Sequence, residues 1–212
     1  MKFNRAQVKQ LHIEASSVCN AACPMCPREV NPFFNKDTDG VSITLEQIQE
    51  KFNDDFIKQL ELVYLCGSYG DPAACPDCIK ILKYFRQTND RICLGIHSNG
   101  GLRNTKWWAE LGAVLNRPGD YCRFGIDGLR DTNHIYRVNT DFDKIIENAQ
   151  SYIAAGGQAI WEFIVFEHNE HQVEEARKMS KELGFANFIE KVSRRFSFIQ
   201  TNLRPPRGAQ YR

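Results

Sequence analysis

Three cysteines stand within eight residues, Cys19-Asn-Ala-Ala-Cys23-Pro-Met-Cys26. Thiolates are soft ligands, and three this close together can grip a compact sulfur-loving centre. A structural zinc ion is ordinarily held by four protein ligands. Here no histidine follows nearby, and the next cysteine is Cys66. Three thiolates on a four-iron cluster would leave one iron open to substrate or cofactor, an asymmetry suited to chemistry rather than scaffolding. The plainer alternative is a set of buried thiols that pack as small hydrophobes.

The chain holds eight cysteines in 212 residues, about 4%, well under the ~8–10% of a disulfide scaffold. Met1 to Gln10 is polar and carries no apolar core of a secretory signal, so a cytoplasmic, reducing setting is expected, with the cysteines as thiols. Cys75-Pro-Asp-Cys78 opens a helical stretch; two ligands without a matching pair read as incidental thiols. Cys66, Cys93 and Cys122 lie in apolar runs and read as core. The net charge is +1, which points to no nucleic-acid partner. No run of about 18 apolar residues marks a membrane span.

Apolar, β-rich runs start near Leu11, Glu61, Arg91, Tyr121, Gln158 and Ala186, mostly about thirty residues apart, the length of a βα unit. Helical spacing lies between them. Leu45, Ile48, Phe52 and Phe56 follow a Thr44-x-x-Gln47 capping box. Asn104 can cap a helix carrying Trp108, Leu111 and Leu115. Phe142 to Ile153 forms a stripe ended by Gly156-Gly157, and Val173 to Leu183 one ended by Gly184.

Strict β/α alternation implies a parallel sheet. Its strands show one apolar and one polar face: Leu11, Ile13 and Ala15 oppose His12 and Glu14; Cys122 and Phe124 oppose Arg123; Glu162 interrupts the fifth apolar run. An open sheet covered on both faces would be apolar on both. The pattern therefore favours an α/β fold of the partial (β/α)6 barrel type with a polar lumen. The alternative puts these polar residues at strand ends. Residues 1–193 are assigned to the barrel. Residues 194–212, with five Arg, no acid and Pro205-Pro206, read as a basic irregular tail.

The ordered segments resemble those of the radical S-adenosylmethionine (SAM) superfamily. The cysteine triad has the family's spacing. Gly67-Ser-Tyr-Gly70-Asp71-Pro72 resembles its Gly-Gly-Glu-Pro stretch, with Asp for Glu. His97-Ser-Asn99-Gly100 resembles its Thr-Asn-Gly. Gly125-Ile-Asp127-Gly128 followed by His134-Ile-Tyr-Arg137 is similar to the Ser-Ile-Asp-Gly and His-x-x-Arg of the branch with sulfatase-maturating and peptide-modifying enzymes, with Gly125 for Ser. Phe166-Glu-His-Asn169 fits the end of the fifth strand. The resemblance spans Leu11 to about Ser193.

The resemblance implies that Cys19, Cys23 and Cys26 hold a [4Fe–4S] cluster whose open iron binds SAM. Gly70, Asp71 and Pro72 would meet the SAM amino group. Arg137 would face its carboxylate, for which a guanidinium fork is suited. Asn99 and Asp127 would lie beside the methionine or ribose part, and Met25 and Phe166 would flank the adenine. The reduced cluster would then break the C5′–S bond of SAM, and the 5′-deoxyadenosyl radical would take hydrogen from a peptide or small polar substrate. An external donor such as a flavodoxin or ferredoxin would supply the electron. On this reading His12, Glu14, Arg123 and Glu162 touch SAM or substrate; the competing reading is an internal ion network. The branch usually continues into a second cysteine-rich region, whereas this chain has no cysteine after Cys122. The expectation is therefore a minimal core, a truncated chain or a diverged end. The alternative to an enzyme is a non-catalytic or truncated iron–sulfur or metal-binding module that keeps the barrel.

Overall fold

A computed structural model describes residues 4–30 and 40–208; Arg212 of the basic segment lies outside the described residues. Six strands form one parallel sheet: β1 (Gln10–Glu14), β2 (Leu62–Cys66), β3 (Cys93–Ser98), β4 (Tyr121–Gly125), β5 (Ala159–Val165) and β6 (Asn187–Val192). They lie in chain order, β1 to β6, with no reversal. A doubly wound sheet reverses at a switch point. An unreversed order with crossovers of one hand puts every helix on the same face. The other face curls around a lumen. Among the described residues β1 and β6 do not pair with each other, so the fold is a partial barrel.

The period-two pattern explains which face is which. Ile13, Val63, Leu65, Leu94, Ile96, Cys122, Phe124, Ala159, Trp161 and Phe163 point to the helices and are buried. On the opposite face Tyr64, Cys66, His97, Arg123 and Glu162 are half-buried and His12 is exposed. The helices that cover the apolar face are α2 (Leu45–Lys51), α3 (Asp54–Lys58), α4 (Cys78–Thr88), α5 (Thr105–Val114), α7 (Phe142–Ala154) and α8 (Val173–Glu182), whereas the short α1 (Pro27–Val30) follows the cysteines and α6 (Asn133–Tyr136) lies in the segment after β4. Trp108 on α5 packs 5.0 Å from Phe124, which in turn meets Tyr152 of α7 at 5.8 Å between ring centroids.

The capping signals appear where the sequence puts them. Thr44 and Gln47 form the reciprocal box at α2, Asn104 caps α5, and Gly156 and Gly184 take positive φ after α7 and α8. One helix differs from its pattern. The spacing of Leu45, Ile48, Phe52 and Phe56 suggests one continuous helix, yet α2 ends at Lys51. The Asn53 side chain accepts from the Phe56 amide and starts α3, and a strong N-cap residue competes with helix continuation. Among the described residues no helix is long and apolar enough to cross a membrane.

Candidate active site

The loop after β1 carries the three cysteines to the C-terminal edge of the sheet, the end at which parallel βα barrels build sites. Cys19, Cys23 and Cys26 are free thiols and all line one cavity of about 1000 Å3, together with Gly70, Asp71, Asn99 and Arg137. Among the described residues no three His, Cys, Asp or Glu side chains close on a point that a single ion could fill. A cluster that offers a separate iron to each thiol does not need its sulfurs to meet at one point. Burial, with Asp71 nearby, pushes the Cys19 thiol up to about 12, and burial also raises Cys23. A cationic metal centre is what would hold such thiols deprotonated. Number, freedom and placement of the thiols thus fit an iron–sulfur centre.

Neighbouring loops fix the cysteine loop. The Asp71 amide donates to the Val18 carbonyl at 2.8 Å, and the Ala22 amide to the Val138 carbonyl at 3.1 Å. The Asn99 side-chain amide donates to Asn20 Oδ1 at 2.9 Å and contacts Cys19 Sγ at 3.6 Å. Gly70 makes this approach possible, since a Cβ there would stand 2.2 Å from the Ser16 carbonyl oxygen.

Asp71 is buried and serves as the hub of three loops. Its carboxylate accepts from Ser98 Oγ at 2.8 and 2.9 Å, from the Asn99 backbone amide at 2.8 Å and from the Ala73 amide at 2.9 Å. Burial pushes the carboxyl up, and these donors pull it back. The residue expected to meet a cofactor's amino group therefore spends its oxygens on the frame of the site. Pro72 opens the short 3-10 turn after it and is buried.

Asp127 and Arg137 form a second buried unit. Arg137 Nε donates to Asp127 Oδ2 at 2.6 Å, while the Ile164 amide donates to Asp127 Oδ1 at 2.5 Å. Burial pushes the Asp127 carboxyl up, and the guanidinium pulls against it. Arg137 Nη1 lies 3.8 Å from Cys23 Sγ, so the guanidinium faces the cysteine loop. Its fork crosses Gly125: a Cβ there would fall 2.2 Å from Arg137 Nη2.

The remaining expected residues divide. Arg123 and Glu162 line the cavity, with Arg123 Nη1 3.5 Å from Glu162 Oε2. His12 and Glu14 lie beside the cavity and are not among the residues that line it, and His12 stacks on Tyr64 with ring centroids 4.8 Å apart. Glu14 is occupied by the Ser68 amide at 2.9 Å and by His12 Nε2 at 3.0 Å, so it braces the loop after β2. Met25 and Phe166 are fully buried in a small cluster with Ala21, Cys23 and Tyr136. Met25 belongs to the cysteine loop and Phe166 follows β5, and neither is a cavity-lining residue.

Other residues enter the site unannounced. Cys66, read as core, is half-buried, lines the cavity and lies 3.6 Å from His97 Nδ1. Burial, then the Arg123 charge, lowers His97 to about 4. Lys191 of β6 reaches Glu162 Oε2 at 2.5 Å; it lies on the strand face opposite Phe188, which packs on Trp161 and Phe163, and that alternation is the available signal. Arg194 and Arg195 also line the cavity, and Arg195 Nη1 donates to the Met25 carbonyl at 2.9 Å. Phe196, Ile199 and Leu203 pack on the Met25–Phe166 cluster. The basic segment, expected as a tail apart from the barrel, thus packs against the site, because its apolar residues lack helical or strand period but still meet a buried surface. Cys75 and Cys78, in contrast, are buried thiols away from the cavity, and Cys75 Sγ lies 3.3 Å from the Ile43 carbonyl.

No curated protein sequence matches the chain. Solved structures match in fold. Streptococcus suis SuiB bound to precursor peptide SuiA aligns with a TM-score of 0.66 at 16% identity, covering 86% of this chain and 39% of that one. Native anSMEcpe with bound AdoMet aligns with a TM-score of 0.62 at 18% identity, covering 86% of this chain and 52% of that one. The chain therefore spans about two fifths to one half of the length of these neighbours. The family model of the Radical SAM superfamily matches residues 13–180. That match begins inside β1 and ends inside α8, taking in the cysteine loop and each loop that braces it, and so the chain belongs to the radical SAM superfamily of enzymes.

Proposed function

We propose that this chain is the catalytic core of a radical SAM enzyme that acts on a peptide or small polar substrate. The observation that carries the reading is the convergence of three free thiols from one loop on a cavity that Asn99 and Arg137 also reach. Cys19, Cys23 and Cys26 would hold a [4Fe–4S] cluster. When bound, cluster and SAM supply one-electron reductive cleavage of the sulfonium and hydrogen abstraction from substrate, chemistry that belongs to the cofactors. An external carrier such as a flavodoxin or ferredoxin would deliver the electron.

This chain's own residues bind and orient. Arg137, held by Asp127, presents its fork to the cavity and suits a carboxylate such as that of SAM. Gly70 brings the backbone of the β2 loop close to the cysteine loop, and Asn99 braces Cys19. Asp71 acts on the bound cofactor through the loops it holds, with Asp127 in the same position toward Arg137. Pro72, Met25 and Phe166 are buried and support the site. Arg123 and Glu162 face the part of the lumen left for substrate. The solved neighbour SuiB carries a precursor peptide in its structure, which supports a peptide as one substrate class.

The test is anaerobic reconstitution of the full chain with iron and sulfide. A brown protein is expected, with charge-transfer absorbance and a reduced-cluster EPR signal, and it forms 5′-deoxyadenosine on addition of SAM and dithionite. Cys23→Ala should lose both the cluster signal and the product. A colourless reconstituted protein, or full cluster signal in that variant, would overturn the assignment. One observation favours a second reading, a cluster-binding module without turnover: both Asp71 oxygens are spent on Ser98, Asn99 and Ala73. SAM binding without product would select that module.

A further inference from the structure

The cavity wall is strongly cationic. Arg28, Arg123, Arg137, Lys191, Arg194 and Arg195 line it, against the carboxylates of Asp71 and Glu162. Asp71 is hydrogen-bonded within the frame of the site, Arg137 is paired with Asp127, and Arg28 is paired with Glu29 at 3.2 Å. In the lumen itself one carboxylate oxygen, Glu162 Oε2, serves two cations: Lys191 Nζ at 2.5 Å and Arg123 Nη1 at 3.5 Å. That leaves an excess positive charge in a half-buried place, where solvent screens less than at the surface. Arg123 Nε is buried without a hydrogen-bond partner, although a guanidinium carries five donors. The side chain is nonetheless held in place, because its guanidinium lies 5.3 Å from the centroid of the Tyr121 ring. His97, next along the wall, is neutral near pH 7 and adds no charge.

Pockets for one drug-sized molecule span roughly 300–1,000 Å3, and this cavity reaches the upper end at about 1000 Å3. The cysteine loop, Asn99 and Arg137 lie on loops that follow β1, β3 and β4, whereas Arg123, Glu162 and Lys191 belong to β4, β5 and β6 themselves. We propose that the Arg123–Glu162–Lys191 wall is a substrate subsite that takes an oxyanion, a carboxylate or a phosphate, between Arg123 and Lys191. This deepens the reading of the cavity as a substrate chamber and rests on it. The anion meets the accessible part of the Arg123 guanidinium, whose side chain is 32% exposed, and balances the excess charge, and Glu162 sets the spacing of the two cations. Arg194 and Arg195, just beyond β6, also line the cavity and add to the positive field that favours entry of anions.

The experiment is calorimetric titration of the full chain at low ionic strength with two probes, glutarate and inorganic phosphate, each with and without saturating SAM. One saturable site is expected for at least one probe, retained when SAM is present. Preference for glutarate identifies a carboxylate substrate group, and preference for phosphate a phosphoryl group. Lys191→Gln and Arg123→Gln should each weaken binding at least tenfold, while Arg204→Gln, at the surface pair with Glu167, binds as the parent does. The Lys191 side chain is 44% exposed, so its replacement leaves the fold intact and keeps the test decisive if Arg123→Gln does not fold. Absence of saturable binding, parental affinity in Lys191→Gln, or complete displacement of the probe by SAM would each overturn the subsite. Failure of the radical SAM reading shows elsewhere, in cluster absorbance and deoxyadenosine formation.

Discussion

Gly125 shows how one missing side chain shapes the site. The related stretch of the family carries Ser, and the departure has a steric reason here. The Arg137 guanidinium occupies the place a side chain would take, 2.2 Å from an added Cβ. Gly125→Ser would push the fork off the wall while Asp127 holds Nε at 2.6 Å. Overpacking of this kind costs about 1–3 kcal/mol. Urea denaturation should show a loss of that size, and SAM affinity should fall with it. A variant as stable as the parent would mean that the fork relocates freely.

At the scale of elements, the loops after β1, β2 and β3 behave as one unit because Asp71 joins them. Its amide reaches Val18, and its carboxylate gathers Ser98, Asn99 and Ala73. Asp71→Ala would leave the buried Ser98, Asn99 and Ala73 donors without their acceptor, and each unsatisfied group costs about 1–3 kcal/mol. The expected loss of stability is about 3 kcal/mol or more, measured by denaturant midpoint. Asp71→Asn keeps one acceptor oxygen and should lose less. Equal losses in the two variants would show that the carboxylate's hydrogen bonds are not what holds the loops.

Across the whole molecule, the polar lumen has a pH signature. His97 titrates at about 4 in the fold against an ordinary 6.5, through burial and the Arg123 charge. Between these values the unfolded chain binds more protons than the native one, so stability rises with pH. The contribution is complete above about 6.5 and is lost as pH falls through 4. One proton sets a slope of at most about 1.4 kcal/mol per pH unit. His97→Gln should flatten the fall in stability between pH 6.5 and 4 relative to the parent, read as the difference between their urea midpoints; parallel curves would remove His97 from the account.

The strands, most helices, their caps and the cysteine loop were legible because each rests on a local pattern: alternation, helical period, a capping residue, or ligands close in sequence. The barrel itself followed from the polar face of β1, β4 and β5. What only the tertiary structure decided is which polar groups meet. Glu14 and Asp71 turn inward to brace loops, Met25 and Phe166 pack in one buried cluster, and Lys191 joins Arg123 and Glu162 from a strand that carried no chemical signature. Alternation gives a residue its face. Its partners depend on strand register and on how far the sheet curls, and those are set by packing between segments far apart in the chain.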